Sequence, residues 1–388
     1  MNRVYIGMYG VGLGHASRML LIANSLKTDA TIQFSSFGDA VDYVKMHGFE
    51  CFSVPPIDFA WSAEAGFSIK ESITKLPHHL LRFAAQLGTE GRNIGSFKPD
   101  LVVSDTRLSS LIMAKTLDVP CITILNQLKL LLSPRLREVR AARLFENMLG
   151  EVMGAFWALS DSVLIPDLPP PYTLSEQNLW SVGTAANKLK YIGFMAPKPT
   201  VNEEYVDKVA KLLGFDRSKP IVFAHISGPT ATKMIVLQKV IDAFNETGDK
   251  IQFVISEGKP NGDTVPRKIK SGWYFEWCPV KDEIFAMSDL LVMRGGHSTL
   301  GQAIQYGKPV VAIPIENHGE QLGNANKAQK IGLGLMLKQK GLKPEDISNA
   351  VERVLNDDSF ESNAKMLMDT ANKLNGVENI VNVVKSYF

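Results

Sequence analysis

A histidine directly after a glycine-rich stretch is the first feature of the sequence that could do chemistry. Residues 10–14 alternate glycine with apolar residues, and His15 comes next. Glycines permit a tight turn and a close approach of a ligand to backbone amides at a helix N-terminus, so we predict that Gly12 and Gly14 contact a ligand. A neutral imidazole can accept a proton from a hydroxyl group near neutral pH, which makes His15 our candidate general base. The competing interpretation is a histidine that caps, or packs on, the start of a helix.

An aspartate at the end of an apolar stretch is the candidate partner of this histidine. Asp105 follows residues 101–104, which we predict to be a buried strand. At the carboxyl end of a parallel strand, its carboxylate would face the same cleft as His15. There it could orient the imidazole ring and stabilise its cationic form. The alternative role is capping of the following helix, although Ser104 or Thr106 could do this instead.

Two turns in the second half of the chain combine glycines, hydroxyl groups and predicted helix starts. Residues 227–230 follow a predicted strand at 220–225, and residues 294–299 lie between a predicted strand at 290–293 and a helix. Backbone amides, hydroxyl groups and a helix N-terminus together bind a diphosphate, and an arginine adds charge. Each turn alone could instead be an ordinary capped helix start. The predicted ligand-binding residues of the two turns are Ser227, Gly228, Thr230, Arg294, Gly295, Gly296, His297, Ser298 and Thr299.

Three further residues in the second half could contact a nucleotide or a sugar. Trp277 lies near a predicted strand end, where its flat ring could stack on a base, or it could pack in the core. Glu320 and Gln321 open a predicted helix, and an acid and an amide at that position could bind sugar hydroxyls. The alternative for Glu320 is a solvated first turn, in which its negative charge stabilises the helix dipole.

The pattern of apolar runs predicts an α/β protein with two domains. A chain of 388 residues is too long for one hydrophobic core. Short strands that are apolar on both faces alternate with amphipathic helices, which indicates parallel sheets covered on both sides. We predict two doubly wound, Rossmann-like domains that face a cleft, formed by residues 1–195 and 201–365 and joined by a linker at 196–200. Residues 366–388 belong to a predicted helix at 361–385 that could cross back to the first domain.

Composition and charge argue against several classes of protein. The formal net charge of +2 gives no reason to expect nucleic acid as a partner. The three cysteines form no Cys-x-x-Cys pair, so we expect neither a disulfide framework nor a zinc site, and a reducing cytoplasm fits. The first residues do not resemble a signal peptide, and no apolar stretch reaches the ~20 residues that span a bilayer.

The motifs of the second half, taken in order, resemble those of the GT-B glycosyltransferases. Similar sequences are the UDP-glycosyltransferases and the peptidoglycan enzyme that adds N-acetylglucosamine to lipid I. The resemblance covers nearly the whole chain, and its specific part is residues 277–325. That part contains, in order, Trp277-Cys278-Pro279, Arg294-Gly295-Gly296, Ser298-Thr299, Gly307-Lys308-Pro309 and Glu320-Gln321.

This resemblance implies a function as well as a fold. Such enzymes move a sugar from a nucleoside diphosphate sugar, here a UDP-sugar, held by the C-terminal domain, to an acceptor held by the N-terminal domain. They usually invert the anomeric centre and need no cofactor and no catalytic metal. Trp277 would lie beside the base, Glu320 and Gln321 would bind the donor sugar, and His15 would be the catalytic base with Asp105 as its partner. The diphosphate would be held by Arg294, Gly296, Ser298 and Thr299.

Three positions depart from the family pattern. Val280 stands where the signature often has Gln, which weakens the contact with the base. Gln302 stands where the family usually has the Glu that accepts from both ribose hydroxyls, so Gln302 belongs to the expected donor site but a different nucleotide stays open. Arg294 replaces the histidine of the plant type, as it does in the peptidoglycan type.

A basic, amphipathic stretch at residues 128–156 suggests where an acceptor comes from. Such a stretch could lie on an anionic membrane surface. We therefore predict an acceptor glycan or a lipid-linked acceptor, and a cytoplasmic protein peripherally associated with the inner face of the cell membrane. Ordinary surface helices are the alternative. The basic residues of this stretch are Lys129, Arg135, Arg137, Arg140 and Arg143.

Three other functions fit parts of the sequence. A nucleotide-sugar 2-epimerase shares the two-domain architecture and would need carboxylates in the cleft, for which Glu257 and Glu316 are candidates. A non-catalytic subunit of a membrane glycosylation complex would not need His15 and Asp105. A nicotinamide-dependent oxidoreductase would use the first glycine turn, although the spacing there is GxGxG rather than GxGxxG.

Overall fold

The computed structural model describes the chain apart from residues 12, 58–75, 130, 133, 180–182, 197–201, 229, 260–261 and 271. The predicted ligand contact Gly12 lies outside the described residues, as does the predicted linker except for Ala196. The described residues form two seven-stranded sheets, each with a buried apolar core on both faces. The predicted α/β class is confirmed.

The first sheet consists of parallel strands only. They are β1 (Asn2–Met8), β2 (Ala30–Ser36), β3 (Glu50–Ser53), β4 (Leu101–Asp105), β5 (Cys121–Ile124), β6 (Ser162–Ile165) and β7 (Leu189–Tyr191). Their spatial order is β3-β2-β1-β4-β5-β6-β7, with all neighbours parallel. The order reverses between β1 and β4, where Met8 lies beside Asp105. Ligands of doubly wound sheets bind at such a reversal, so His15 and Asp105 lie where a ligand is expected.

Helices of the first half cover both faces of this sheet. They are α1 (Gly14–Leu26), α2 (Asp39–Met46), α3 (Leu76–Phe97), α4 (Leu108–Thr116), α5 (Pro134–Arg137), α6 (Arg140–Trp157) and α7 (Glu176–Leu179). A 3₁₀ turn spans Gly183–Lys188. Helix α1 buries Met19, Ile22 and Leu26, whose spacing of three to four residues places them on one face. Because α1 begins at Gly14, His15 lies in its first turn, directly above the sheet edge.

The second sheet repeats this architecture. Its strands are β8 (Ile221–His225), β9 (Gln252–Ser256), β10 (Arg267–Ile269), β11 (Gly272–Phe275), β12 (Leu290–Met293), β13 (Val310–Ala312) and β14 (Gly334–Met336). Their order is β10-β11-β9-β8-β12-β13-β14, and β10 is the antiparallel strand at one edge. The order reverses between β8 and β12, where His225 lies beside Met293. The two predicted turns at 227–230 and 294–299 follow these two strands.

Helices of the second half cover both faces of the second sheet, except for the last one, which packs on the first half. They are α8 (Glu203–Leu212), α9 (Thr230–Glu246), α10 (Lys281–Met287), α11 (His297–Gln305), α12 (Gly319–Lys330), α13 (Pro344–Leu355), α14 (Asp358–Asn372) and α15 (Gly376–Lys385). A 3₁₀ turn spans Gly248–Lys250. No helix within the described ranges has the length and apolar character required to cross a bilayer.

The prediction of one continuous helix at residues 361–385 is wrong. Helix α14 ends at Asn372, and α15 begins at Gly376. The side chain of Asn375 accepts a hydrogen bond from the backbone N–H of Glu378, so it caps the new helix and marks the break. Helix α14 packs on the second half, whereas α15 packs on α1 and contributes Ile380 to the core of the first sheet.

The loop after β6 also reaches the other half. Leu168 and Leu174, which lie within the predicted first domain, are buried in the core cluster of the second sheet. Contacts between the two halves therefore begin before the predicted linker, and the sheets face each other across a cleft that several segments line.

Candidate active site

His15 and Asp105 meet at the reversal point of the first sheet. The ring nitrogen Nδ1 of His15 lies 3.0 Å from Oδ1 of Asp105. The Asp105 side chain is fully buried, whereas the His15 side chain is 21% exposed. Nε2 of His15 makes no hydrogen bond to the described residues. When Nδ1 carries the proton, this pair is an imidazole base oriented by a carboxylate.

Arg18 is a third member of this cluster, and the sequence reasoning missed it. Nε of Arg18 donates to Oδ2 of Asp105 at 2.7 Å, Nη2 donates to Oδ1, and Nη2 also lies 3.0 Å from Nδ1 of His15. Burial alone would raise the pKa of the Asp105 carboxyl, but the charges of Arg18 and His15 outweigh it and hold that pKa well below its ordinary value. The sequence could have indicated this contact, because Arg18 lies three residues after His15 on the buried face of α1.

The turn after β12 presents the N-terminus of α11. Gly295 has a φ of 79°, and a Cβ at this position would lie 3.1 Å from the backbone oxygen of Gln321, so the turn requires glycine. The helix starts after Gly296, and no side chain of the described residues caps it. Ser298 is exposed, and Thr299 is half-buried with its hydroxyl donating to the Gly296 carbonyl at 3.0 Å. The N–H groups of this first turn can therefore bind an anion.

The side chain of Arg294, which is predicted to hold a diphosphate, makes hydrogen bonds inside the protein. Nη2 of Arg294 donates to Oε1 of Gln339 at 2.6 Å, and Nη1 donates to the carbonyl of Thr232 at 3.3 Å. The side chain is buried, and burial lowers the pKa of the guanidinium to about 10.

The imidazole of His297 is also engaged inside the protein. Its Nε2 lies 3.0 Å from Oδ2 of Asp167, which follows β6 in the first half, and both side chains are buried. The ring joins α11 to the loop after β6, and its predicted contact with the donor stays a prediction. Sequence reasoning missed Asp167, although it stands just past a strand end as Asp105 stands at one. The other donors to the Asp167 carboxylate are the backbone N–H groups of Leu168, Leu174 and Ser175 and the Ser175 hydroxyl.

The predicted turn after β8 is described only in part. Ser227 is half-buried, and Gly228 is exposed with a φ of 127°. The side chain of Thr230 lies outside the described residues. His225 ends β8, and burial, together with the charges of two lysines, lowers its pKa to about 3. The imidazole of His225 is therefore neutral at ordinary pH.

The residues predicted to contact the base and the donor sugar all belong to the second half. Trp277 follows β11 and is 41% exposed. Gln321, in the first turn of α12, accepts through Oε1 from the backbone N–H of Ile315 at 3.0 Å. Oε1 of Glu320 accepts from Nδ2 of Asn126 at 3.2 Å. Asn126 follows β5 in the first half, so this hydrogen bond crosses the cleft. Sequence reasoning did not single out Asn126.

A cavity of about 420 Å³ lies between α1 and α11. Gly14 and Arg18 line it from the first half, and Ser298, Thr299 and Gln302 line it from the second, together with the buried His297. A Cβ on Gly14 would lie 3.6 Å from Oγ of Ser298, so the first turns of the two helices face each other closely. The described donor-site predictions that do not line this cavity are Ser227, Gly228, Trp277, Arg294, Gly295, Gly296, Glu320 and Gln321.

Glu257, one of the two carboxylates considered for epimerase chemistry, forms an ion pair with Lys233. Glu257 lies 3.0 Å from Nζ of Lys233 and accepts from the hydroxyl of Tyr274 at 2.7 Å. Glu316 is half-buried.

The described ranges contain no group of three or more histidine, cysteine or acidic side chains that could hold a metal ion. All three cysteines are buried and free.

Sequence comparison identifies the class of protein. Residues 1–143 match the model of glycosyl transferase family 1, and residues 230–383 match that of the glycosyltransferase family 28 C-terminal domain. An uncharacterized glycosyltransferase of Methanosarcina mazei is 28% identical over 378 residues, 96% of this chain and 95% of the relative. The UDP-N-acetylglucosamine--N-acetylmuramyl-(pentapeptide) pyrophosphoryl-undecaprenol N-acetylglucosamine transferase of Clostridium novyi is 25% identical over 222 residues, 53% of this chain and 59% of that enzyme.

Solved structures share the whole two-sheet architecture. The calicheamicin glycosyltransferase CalG4 has a TM-score of 0.67 at 16% identity and covers 100% of this chain, with 98% of CalG4 covered. MurG of Acinetobacter baumannii has a TM-score of 0.63 at 12% identity, with 100% of both chains covered. The chain is a glycosyltransferase of the GT-B fold, as its motifs predicted. More particularly, it is similar along nearly its full length to the Methanosarcina glycosyltransferases.

Proposed function

We propose that this glycosyltransferase moves a sugar from a nucleoside diphosphate sugar to an acceptor hydroxyl, with His15 as the general base. One observation carries the proposal. The first turn of α1, which begins at Gly14 and contains His15, lies against the first turn of α11, where a Cβ on Gly14 would be 3.6 Å from Oγ of Ser298. A base on one side and an anion-binding helix start on the other are what displacement of a diphosphate from a sugar requires.

The proposed reaction is a single displacement at the anomeric carbon. The acceptor oxygen forms a bond to that carbon while the bond from the carbon to the diphosphate oxygen breaks, which inverts the centre. Nε2 of His15 takes the proton of the acceptor hydroxyl, and the electron pair of the broken bond stays on the diphosphate. The N–H groups at the start of α11 stabilise the diphosphate, and Asp105 stabilises the imidazolium.

UDP-sugars are the first candidates for the donor. The exposed ring of Trp277 offers a face for a base, and Gln302 lines the cavity one turn after Thr299. The name of the Clostridium novyi relative specifies UDP-N-acetylglucosamine. A Streptomyces sp. SF2575 glycosyltransferase, SsfS6, was solved with thymidine diphosphate and has a TM-score of 0.65 at 16% identity. Both nucleotides therefore belong in the test.

Isothermal titration calorimetry with UDP, UDP-N-acetylglucosamine and thymidine diphosphate tests the donor site. We expect at least one to bind, and Ser298→Ala to weaken that binding about tenfold, the value of one hydrogen bond to a charged group. Ser359→Ala is the matched control, because Ser359 is likewise the exposed second residue of a helix in the same half. No binding of any of the three, or equal binding by both variants, would contradict the proposed site.

The surface of α6 supports a lipid-linked acceptor. The buried face of this helix carries Glu146, Gly150, Gly154 and Trp157, and six other large apolar residues of the helix are exposed. Arg140 and Arg143 are exposed on the same helix. An exposed apolar face beside arginines suits an anionic membrane surface. The α6 apolar face consists of Leu144, Phe145, Met148, Leu149, Val152 and Phe156.

Vesicle flotation tests this part of the proposal separately. We expect the protein to float with vesicles that contain anionic lipid, and the double change Phe145→Glu, Met148→Glu to reduce the bound fraction about tenfold or more, because both large apolar contacts are lost. Leu212→Glu on α8 is the control, since Leu212 is an exposed leucine far from this helix in the chain. If the unaltered protein floats with neither anionic nor neutral vesicles, the membrane proposal fails and the donor proposal stands.

A further inference from the structure

Two groups compete for Nδ1 of His15. Oδ1 of Asp105, at 3.0 Å, is an acceptor, and Nη2 of Arg18, also at 3.0 Å, is a donor. A ring nitrogen can satisfy only one of them, because it donates when protonated and accepts when unprotonated. If Nδ1 donates to Asp105, Nε2 is unprotonated and can act as a base. If Nδ1 accepts from Arg18, Nε2 carries the proton and cannot.

The guanidinium of Arg18 decides this competition in favour of the carboxylate. Its Nε and Nη2 donate to the two oxygens of Asp105, in the paired geometry that fixes both planes. The hydroxyl of Thr106 donates to Oδ1 at 3.0 Å and holds the carboxylate further. One of the two N–H groups of Nη2 is thereby committed to the carboxylate, and the other can also reach the hydroxyl oxygen of Thr106, at 3.5 Å. Oδ1 is held at the ring as a charged acceptor for an Nδ1 proton.

Arg18 also changes the charge that His15 experiences. Asp105 alone would place a buried negative charge against the ring, which favours the imidazolium form. Arg18 cancels that charge at a similar distance, and its side chain is buried, where charges are weakly screened. Arg18 therefore offsets the electrostatic effect of the carboxylate on the ring.

Other titratable groups near His15 are present in every variant compared below, so they do not produce the difference. Tyr9 packs edge-on against the ring. His225 is neutral because burial lowers its pKa to about 3, and His297 pairs with Asp167. The remaining titratable residues that line the cavity from the described ranges are Tyr43, His47 and Lys281.

We propose that Arg18 is a positioning residue of the transfer reaction. Its guanidinium keeps the proton of His15 on Nδ1, so that Nε2 is the base, and its charge offsets the charge of Asp105 beside the ring. Arg18 acts through Asp105 and His15 rather than on the reacting atoms. The inference rests on the proposed role of His15 as the general base.

NMR of protein labelled with ¹⁵N in its histidines tests both parts without any substrate. The His15 signals are assigned by their loss in His15→Gln. We expect the Nδ1–H tautomer in the unaltered protein near neutral pH. Arg18→Met should raise the midpoint of the His15 titration by about one pH unit or more, because a buried compensating charge is lost. Arg18→Lys keeps the charge, so its midpoint should stay within about 0.3 pH units while the tautomers mix.

The positioning role and the charge role of Arg18 can each be contradicted separately. An Nε2–H tautomer in the unaltered protein overturns the positioning role, and no variant is needed for that result. An unchanged midpoint in a folded Arg18→Met protein overturns the charge role, because a purely structural arginine would alter only the melting temperature. If Arg18→Met does not fold, Arg18→Gln provides the same comparison with a donor retained. Full transfer activity in His15→Gln would instead remove the proposed base and leave the NMR result intact.

Discussion

Two histidine–aspartate pairs flank the same cleft, and they differ in what they can do. Both have a nitrogen-to-oxygen distance of 3.0 Å. His15 uses Nδ1 for its aspartate and is 21% exposed, whereas His297 uses Nε2 and is 7% exposed. The first pair leaves a nitrogen for a substrate, and the second joins two halves of the molecule. Exposure and the choice of nitrogen, rather than the distance, distinguish the pair that we propose to be catalytic from the pair that joins the two halves.

The two carboxylates are also held by different chemistry. Asp105 is held by the charged guanidinium of Arg18, and Asp167 by three backbone N–H groups and the hydroxyl of Ser175. A charged partner alters the electrostatics of the imidazole beside it, whereas neutral donors fix geometry. The charge beside His15 therefore depends on Arg18, whereas the neutral partners of Asp167 fix only the geometry of the pair at His297.

The largest expected difference between the pairs is in the transfer rate. His15→Gln should lower kcat/KM about 1,000-fold, because the proton acceptor is lost, whereas His297→Gln should lower it less than about tenfold. The rate is the release of nucleoside diphosphate from whichever donor binds in calorimetry, with a membrane lipid extract as the source of acceptor. Equal losses in the two variants would show that the difference in exposure does not separate their roles.

The second difference is in how the pairs respond to loss of the carboxylate. Asp105→Ala should lower the free energy of unfolding by about 3–5 kcal/mol, because it leaves the guanidinium of Arg18 buried and unpaired. Adding Arg18→Met should restore much of that loss, since the uncompensated charge is then gone. Urea unfolding followed by circular dichroism measures both.

Asp167→Ala is the comparison for this rescue. It leaves several neutral donors unsatisfied, each costing about 1–3 kcal/mol, and no single change at His297 can satisfy them. If His297→Gln rescues Asp167→Ala as well as Arg18→Met rescues Asp105→Ala, the distinction between charged and neutral support is wrong.

The smallest expected difference is in the dependence of stability on acid. The pKa of Asp105 is held below its ordinary value of 3.8, so its contribution to stability is fully present above that value and is lost as pH falls toward the lowered one. This group adds at most about 1.4 kcal/mol per pH unit to the decline below about pH 4. Asp105→Asn should show a shallower decline in urea midpoint between about pH 5 and pH 3. Parallel curves for the two proteins would contradict this.

The positions of the site elements could be predicted from sequence because they follow from the sheets. An apolar strand that ends in Asp105, and a glycine turn that leads into His15, both place side chains at the carboxyl edge of a parallel sheet. The same rule placed Ser298 at the edge of the second sheet. The assignments of these residues as catalytic or donor-binding stay predictions, which the experiments above address.

The direction of individual side chains could not be predicted in the same way. Arg294 and His297 stand in the same turn as Ser298, but their buried partners, Gln339 and Asp167, lie 45 and 130 residues away in the chain. Such pairings depend on packing between elements, which local spacing does not encode. The break before α15, in contrast, could have been predicted, because Asn375 is a residue type that favours a helix start.

Helix α15 has a consequence for the way this protein is made. Ile380 and Val384 fill the core of the first sheet beside α1, yet the ribosome delivers them after every strand of both sheets. The earliest-made half therefore emerges with an apolar groove along α1 that its own residues do not cover. We expect native closure of that half to await the end of synthesis, with this apolar surface exposed until then.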